Sequence, residues 1–282
     1  TTPTVEIAVP IEKADAGIII TASHNPSEWN ALKLINNKGE FINAEDGKNL
    51  MSIADSNPSI DENINLGSVT FNDSYIDTHI DLILKLPFVD SESIKRRKFK
   101  VVVDAVNSTG GIAIPLLLDR LGVETIKLYC DPTGEFPHNP EPLKENLSDL
   151  SNLVVNEAAD LGIVVDPDVD RLAFVSEDGE VFGEEYTLVA CADYYLKHNP
   201  GNTVSNLSSS RALKDVSDLN GCNHFFSAVG EVNVVELMKK KNAVIGGEGN
   251  GGIILPDLHY GRDALVGIAL FLSHLANLNI SC

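Results

Sequence analysis

The sequence predicts an α/β fold divided into successive domains. Short β-branched apolar runs, at residues 17–20, 100–103 and 161–165, alternate with stretches whose apolar residues recur at helical spacing, such as Ile76, Ile80, Ile83 and Leu84. The order strand, helix, strand over residues 100–129 implies a parallel pair with a right-handed crossover. Polar or glycine-rich loops follow the apolar runs, as they do at strand ends.

The first run, residues 17–20, stops at Thr-Ala-Ser-His-Asn-Pro (21–26), whose short polar residues and proline end a strand and begin a loop. Ser23 therefore stands on a strand-to-loop corner with His24 and Asn25 beside it and Lys33 ten residues on. A serine hydroxyl on a rigid corner, next to groups that move protons, is a candidate nucleophile. Taken alone, the segment reads more readily as an ordinary turn. Residues 31–35 form the next short strand, a helix covers about 46–54, and residues 75–86 form a helix bridging to the next domain. The basic run 95–98 reads as a solvated link before the strand at 100–104. Residues 107–111 turn into a helix that ends near Gly122, and a strand follows at 124–129. The proline-rich loop 135–142 carries His138, to which a structural role is assigned.

Residues 166–171 read Asp-Pro-Asp-Val-Asp-Arg between the apolar runs 161–165 and 172–175, which places them on a strand–loop–strand turn. Carboxylates at alternate positions, Asp166, Asp168 and Asp170, can converge on a hard cation such as Mg²⁺, which prefers oxygen ligands. Arg171 adds a fork suited to a phosphate beside the metal. An EF-hand loop is excluded because its sixth position requires glycine and here holds Arg171, and because the flanks are strands. A phosphatase with an aspartate nucleophile is disfavoured by Asp170, four residues after Asp166.

Further on, helices are expected at 187–195 and 211–219 with a strand at 203–207 between them. Gly-Gly-Glu-Gly-Asn-Gly-Gly follows at 246–252, between the apolar segments 244–245 and 253–255. Its glycines let backbone approach a ligand closely, and Glu248 and Asn250 offer an acceptor and a mixed donor–acceptor suited to neighbouring sugar hydroxyls. A flexible hairpin is the alternative. A dinucleotide fingerprint does not fit, because no helix start follows the loop. Residues 264–278 read as an amphipathic helix.

In this order, T-A-S-H-N-P, D-x-D-x-D-R and G-E-x-x-G-G resemble the α-D-phosphohexomutase family of phosphoglucomutases, phosphomannomutases and phosphoglucosamine mutases. Pro3-Thr4-Val5-Glu6 and the G-E-x-N-G-G form of the last motif favour the phosphoglucosamine branch. The resemblance implies α/β domains with mixed sheets sandwiched by helices. Residues 1–88 would be the end of a first domain with the phosphoserine loop, 89–186 a second with the metal loop, and 187–282 a third with the sugar loop. It implies a hexose 6-phosphate/1-phosphate mutase working through phosphorylated Ser23 and a sugar bisphosphate, with Mg²⁺ on Ser23, Asp166, Asp168 and Asp170. His24, Lys33 and Arg171 would assist catalysis, and Asn25, Arg211, Gly230, Glu231, Glu248 and Asn250 would contact the sugar phosphate. Two positions depart from the family pattern: Glu231 replaces a histidine, and Arg211 stands in for a lysine. The resemblance also implies a fragment, lacking the start of the first domain and a fourth domain. The alternatives are a mutase of glucose or mannose phosphate and a non-catalytic sugar-phosphate-binding module.

A net charge of −20, from 41 acidic and 21 basic residues, argues against nucleic acid or an anionic membrane as partner, so an anionic sugar phosphate must be drawn by a local positive pocket. The absence of a long apolar stretch argues against a membrane span. The dispersed Cys130, Cys191, Cys222 and Cys282 predict reduced thiols in a cytoplasmic protein, monomeric or homodimeric.

Overall fold

The computed structural model describes residues 1–25, 28–58 and 67–282, so Pro26 of the serine loop lies outside the described residues. Helix α1 (Thr2–Glu12) starts where the Thr4 N–H donates to Thr1 Oγ1. Strands β1 (Ala16–Thr21) and β2 (Ala31–Asn36) pair antiparallel. Their register sets Ile19 opposite Lys33 and Thr21 opposite Ala31, so Thr21 and Lys33 share one face of the hairpin. Helix α2 (Ala44–Asp55) is capped by Asn43, whose side chain accepts from the Asp46 N–H.

Helices α3 (Tyr75–Leu84) and α4 (Ser91–Arg97) lead into the second unit. The basic run expected as a solvated link is instead the last turn of α4, where cations suit the helix dipole. Arg97 also donates to Asn279 Oδ1 and to the Ile280 carbonyl, which ties this turn to the end of the chain. Strand β3 (Lys100–Asp104), helix α5 (Gly110–Arg120), strand β4 (Glu124–Leu128), helix α6 (Ser148–Asn156) and strands β5 (Leu161–Val165) and β6 (Leu172–Ser176) follow. The sheet order is β4-β3-β5-β6, parallel except for the antiparallel β5–β6 pair. His138 Nε2 lies 2.9 Å from Asp104 Oδ2 at the end of β3.

The third unit comprises α7 (Glu184–His198), β7 (Asn202–Asn206), α8 (Ala212–Leu219), β8 (His224–Ser227), α9 (Glu231–Lys241), β9 (Ala243–Glu248), β10 (Gly252–Ile254) and α10 (Ala264–Leu278). Its sheet order is β10-β9-β7-β8, again parallel except for the last hairpin, β9–β10. The two sheets therefore repeat one plan without an obvious sequence repeat. Each ends in an antiparallel hairpin, and the two hairpin turns are the aspartate loop and the glycine-rich loop. Both turns lie past the carboxyl ends of parallel strands, where open α/β sheets bind ligands.

Helix α10 is not amphipathic: residues 264–273 are buried on every face. It lies within one apolar core that draws on α3, α5, β5 and β6 as well as α7 and β10. Phe271 of α10 stacks on Phe174 of β6 at 3.9 Å between ring centres. No helix among the described residues is long and apolar enough to cross a membrane.

Candidate functional site

Ser23 has φ 52°, the left-handed region, which costs a non-glycine residue roughly 1–2 kcal/mol. Its N–H donates to Thr21 Oγ1 at 2.8 Å, and the Thr21 hydroxyl donates to Asp168 Oδ1. A two-bond chain thus joins the serine corner to the aspartate loop. The Ser23 hydroxyl lies 3.2 Å from His24 Nδ1, and the Asn25 N–H and amide both donate to the Ala22 carbonyl, closing the turn. Burial, then the positive Arg171, lowers the basicity of His24 below its ordinary value.

The aspartate loop is organised by Asp166, whose Oδ1 accepts the N–H groups of Asp170 and Arg171 at 3.1 Å each. Val169 takes φ 63°, so the chain reverses within the loop. Asp166, Asp168 and Asp170 are buried, and one oxygen from each lies within 4.8 Å of the others. Asp166 Oδ2 and Asp170 Oδ1 are buried without a hydrogen-bond partner. Bare, clustered carboxylate oxygens of this kind fit a hard divalent cation.

Lys33 Nζ bonds Asp168 Oδ2 at 2.5 Å and Asp170 Oδ2 at 3.1 Å. Burial opposes its charge, but Asp170 and Asp168 outweigh that and raise its pKa. Burial, reinforced by Asp170 and Asp168, pushes Asp166 well above the carboxylate range. Asp170 is held down at about 2, because Arg262 and Lys33 overcome the cost of its burial.

Arg171 Nη1 bonds Glu141 Oε1 at 2.7 Å. Both line a cleft of about 220 Å³ together with Ser208 and Asn250, so the arginine of the aspartate loop and the amide of the glycine-rich loop face one space. The two loops also touch directly, since the Leu172 N–H donates to the Gly251 carbonyl. Gly251 has φ 84°, and a Cβ there would lie 2.1 Å from the Leu172 carbonyl oxygen, so this approach requires glycine.

Glu248 Oε1 accepts from Asn206 Nδ2 at 2.7 Å and from the Gly230 N–H at 3.2 Å, while its Oε2 accepts from Arg262. Two of the expected sugar contacts are arranged otherwise. The Glu231 carboxylate is engaged by the N–H and Nε of Arg262, and the residue lines a separate cavity of about 430 Å³ with Phe41 and Tyr260. That cavity is the larger one, yet none of Ser23, the three aspartates or Arg171 lines it. Arg211 is exposed and pairs with Asp215 one turn along α8. Neither side chain joins the cleft.

Sequence reasoning missed Thr21, Glu141 and Arg262. The signal for Thr21 was present: it lies two residues before Ser23 on the strand face it shares with Lys33. No local pattern marked Arg262.

Sequence reasoning also missed a buried chain of polar groups behind the site. His79 Nε2 lies 2.8 Å from Asp263 Oδ2, His259 Nε2 lies 3.3 Å from the same oxygen, and His259 Nδ1 makes an ion-pair contact with Glu6 at 3.0 Å. Asp263 Oδ1 caps α10 by accepting the Leu265 and Val266 N–H groups. Burial pushes Glu6 up to about 8 despite the neighbouring histidine. His259 rises to about 10, because Asp263 and Glu6 outweigh its burial. Both values lie above those of the unfolded chain, so the folded protein holds more protons. This stability is complete below the unfolded pKa values and is lost progressively above them, the share of Glu6 being gone by about pH 8 and that of His259 by about pH 10. The melting temperature should therefore fall from pH 7 to pH 10, and His259→Gln should flatten that slope. An unchanged slope would show that the cluster does not titrate on unfolding.

Comparison with known proteins agrees with this architecture. Residues 1–61, 73–179 and 183–282 match, in turn, alpha/beta/alpha domains I, II and III of phosphoglucomutase/phosphomannomutase. The chain belongs to this family, the α-D-phosphohexomutases. It is similar to a phosphoglucomutase/phosphomannomutase of Thermococcus kodakarensis, with 34% identity over 95% of this chain and 59% of the relative. It is also similar to a phosphoglucosamine/phosphogalactosamine mutase of Sulfurisphaera tokodaii, with 30% identity over 99% of this chain and 62% of the relative. Among solved structures, a phosphoglucomutase/phosphomannomutase family protein of Burkholderia thailandensis superimposes with a TM-score of 0.77 and 28% identity, covering 94% of this chain and 56% of that one. The chain thus spans about three-fifths of the length of these curated relatives.

Proposed function

We propose that this chain carries the phosphoryl-transfer centre of a phosphohexomutase that interconverts hexose 6-phosphate and 1-phosphate through phosphorylated Ser23. The observation that carries the reading is the link from the Ser23 N–H through Thr21 to Asp168, beside the unpartnered oxygens of Asp166 and Asp170. Asp166, Asp168 and Asp170 would hold Mg²⁺, with Ser23 completing the set through its phosphate. Bound there, the ion supplies charge neutralisation and Lewis-acid polarisation for phosphoryl transfer.

The remaining roles follow from position. The left-handed turn presents the Ser23 hydroxyl, and His24 Nδ1 beside it can take or return a proton. Lys33, anchored on two aspartates, offers its ammonium group to phosphate oxygens. Arg171 and Asn250 face the same cleft and suit the phosphate and hydroxyls of a bound sugar. The bisphosphate formed must turn over to present its other phosphate to Ser23, and paired hydroxyl ligands such as Glu248 and Asn250 accommodate either orientation.

Glucosamine phosphate is the preferred substrate in this reading, on the G-E-x-N-G-G form of the sugar loop. The relatives' names span glucosamine, galactosamine, glucose and mannose phosphates, and support the hexose class. The test is a panel of glucosamine, glucose and mannose 6-phosphates with Mg²⁺, read by kcat/KM, together with phosphopeptide mapping. Phosphate on Ser23 and the highest kcat/KM for glucosamine 6-phosphate are expected. Phosphate on no serine, with turnover of no hexose phosphate, would refute the reading.

A further inference from the structure

We infer that Arg262 is a positioning residue that couples the metal loop to the sugar loop, an inference that rests on the phosphohexomutase reading. Its guanidinium is buried, and each of its three nitrogens meets a different carboxylate. Nη2 bonds Asp170 Oδ2 at 2.9 Å, Nη1 bonds Glu248 Oε2 at 3.0 Å, and Nε bonds Glu231 Oε2 at 3.0 Å. These carboxylates belong to the β5–β6 turn, the end of β9 and the first turn of α9. One rigid plane thus spans the two hairpin loops and the helix that follows the Gly230 loop.

The contacts decide which atoms remain for ligands. On Asp170, Arg262 and Lys33 both occupy Oδ2, and Oδ1 is left bare and buried. The aspartate is thereby fixed by one oxygen, and the other remains free for a cation. On Glu248, Arg262 holds Oε2 while Asn206 and Gly230 hold Oε1, which fixes the carboxylate of the sugar loop in one orientation. Glu231, in the first turn of α9, accepts the Arg262 backbone N–H on Oε1 and the guanidinium Nε on Oε2, which fixes both the main chain and the side chain of the arginine. This accounts for a glutamate where the family pattern has a sugar-contacting histidine: here the position serves the arginine.

Lysine cannot replace this geometry, because a single ammonium has no planar fork with which to meet three separate carboxylates. Among the described residues, Lys33 and Arg262 make the ion pairs to the four carboxylates Asp168, Asp170, Glu231 and Glu248, and Arg171 adds positive charge near Asp170. Arg262, bonded to both Asp170 and Glu248, would carry to the sugar loop any change of charge that a divalent ion brought to the aspartates. Reciprocity requires that a sugar phosphate held by the glycine-rich loop alter metal affinity by the same factor.

The test is calorimetric titration of Mg²⁺, with and without glucosamine 6-phosphate, on the full chain and on Arg262→Lys, Glu231→Gln and the double variant. In the unsubstituted protein the sugar phosphate should tighten Mg²⁺ binding by about fivefold or more. Arg262→Lys should bring that factor to within about twofold of one. Glu231→Gln should weaken Mg²⁺ binding several-fold on its own and add nothing in the Arg262→Lys background, since it acts through Arg262. Equal effects of Glu231→Gln in both backgrounds, or undiminished coupling in a folded Arg262→Lys protein, would overturn the inference. If Arg262→Lys fails to fold, a Glu231→Gln protein with unaltered Mg²⁺ affinity and coupling overturns it equally. Failure of the unsubstituted protein to bind Mg²⁺ or the sugar phosphate would instead refute the functional reading and remove this inference with it.

Discussion

Ser23→Ala is expected to remove phosphohexomutase turnover by several orders of magnitude, because it deletes the atom that would carry the phosphoryl group. The fold should survive the change. Ser23 sits in a left-handed conformation that alanine adopts at similar cost, and its main structural bond, from its N–H to Thr21 Oγ1, involves no side-chain atom of the serine. Matched melting curves with lost turnover are therefore the expected pair of results. Phosphopeptide mapping of the variant should show no label in the segment around residue 23. Near-normal turnover would reassign the loop to a structural turn and move the nucleophile elsewhere.

Asp168→Ala is expected to abolish both Mg²⁺ binding and phosphoryl transfer while leaving the protein folded. Asp168 gives one oxygen to Thr21 and the other to Lys33, and Lys33 keeps Asp170 as a partner when Asp168 is removed. The substitution also relieves repulsion among carboxylates gathered within 4.8 Å, which offsets the lost bonds. At Mg²⁺ a hundredfold above Kd the unsubstituted protein gains about 2.7 kcal/mol of stability, seen as a higher melting temperature, and the variant should gain none. Chelation with EDTA should silence the unsubstituted protein, with Mg²⁺ restoring it. A variant that melts at room temperature would identify the loop as a structural turn, and activity that persists after thorough chelation would count against the metal.

Local chemistry made the strands around each motif legible. Residues 17–20, 161–165 and 172–175 are β-branched or apolar runs bounded by polar turns, and each lies within a strand. The aspartate loop was readable as a strand–loop–strand turn for the same reason, whereas a hairpin at the glycine-rich loop stood only as the alternative to a ligand loop, and the β9–β10 pair shows that it is one. Contacts between distant residues were not readable. Lys33 and Asp168 are 135 positions apart, and only the folded arrangement of hairpin and sheet brings them to 2.5 Å. Glu231 and Arg262 show the same limit, since a charged residue at a loop position carries no mark of whether it faces a ligand or a buried partner. Helix α10 was misread because periodicity reports one wet face, whereas Ser273 and Gly267 sit inside apolar packing: Ser273 donates to the Ala269 carbonyl, and Gly267 presses against Leu172 and Ile253. Helix α9 begins at Glu231, the residue that the resemblance places in a ligand loop, so the same position cannot be read from sequence as a helix start.

The burial of residues 264–273 of α10 on every side has a thermodynamic consequence. A rod whose opposite faces complete two different sheets cannot be relinquished by one without stripping the other, so a state with the second unit melted and the third intact would expose a long apolar surface to water. The two units should consequently share one cooperative transition, although their strands are wound separately. Slow hydrogen exchange should extend across both sheets alike, and a defect introduced in either is felt as a loss of stability by the pair.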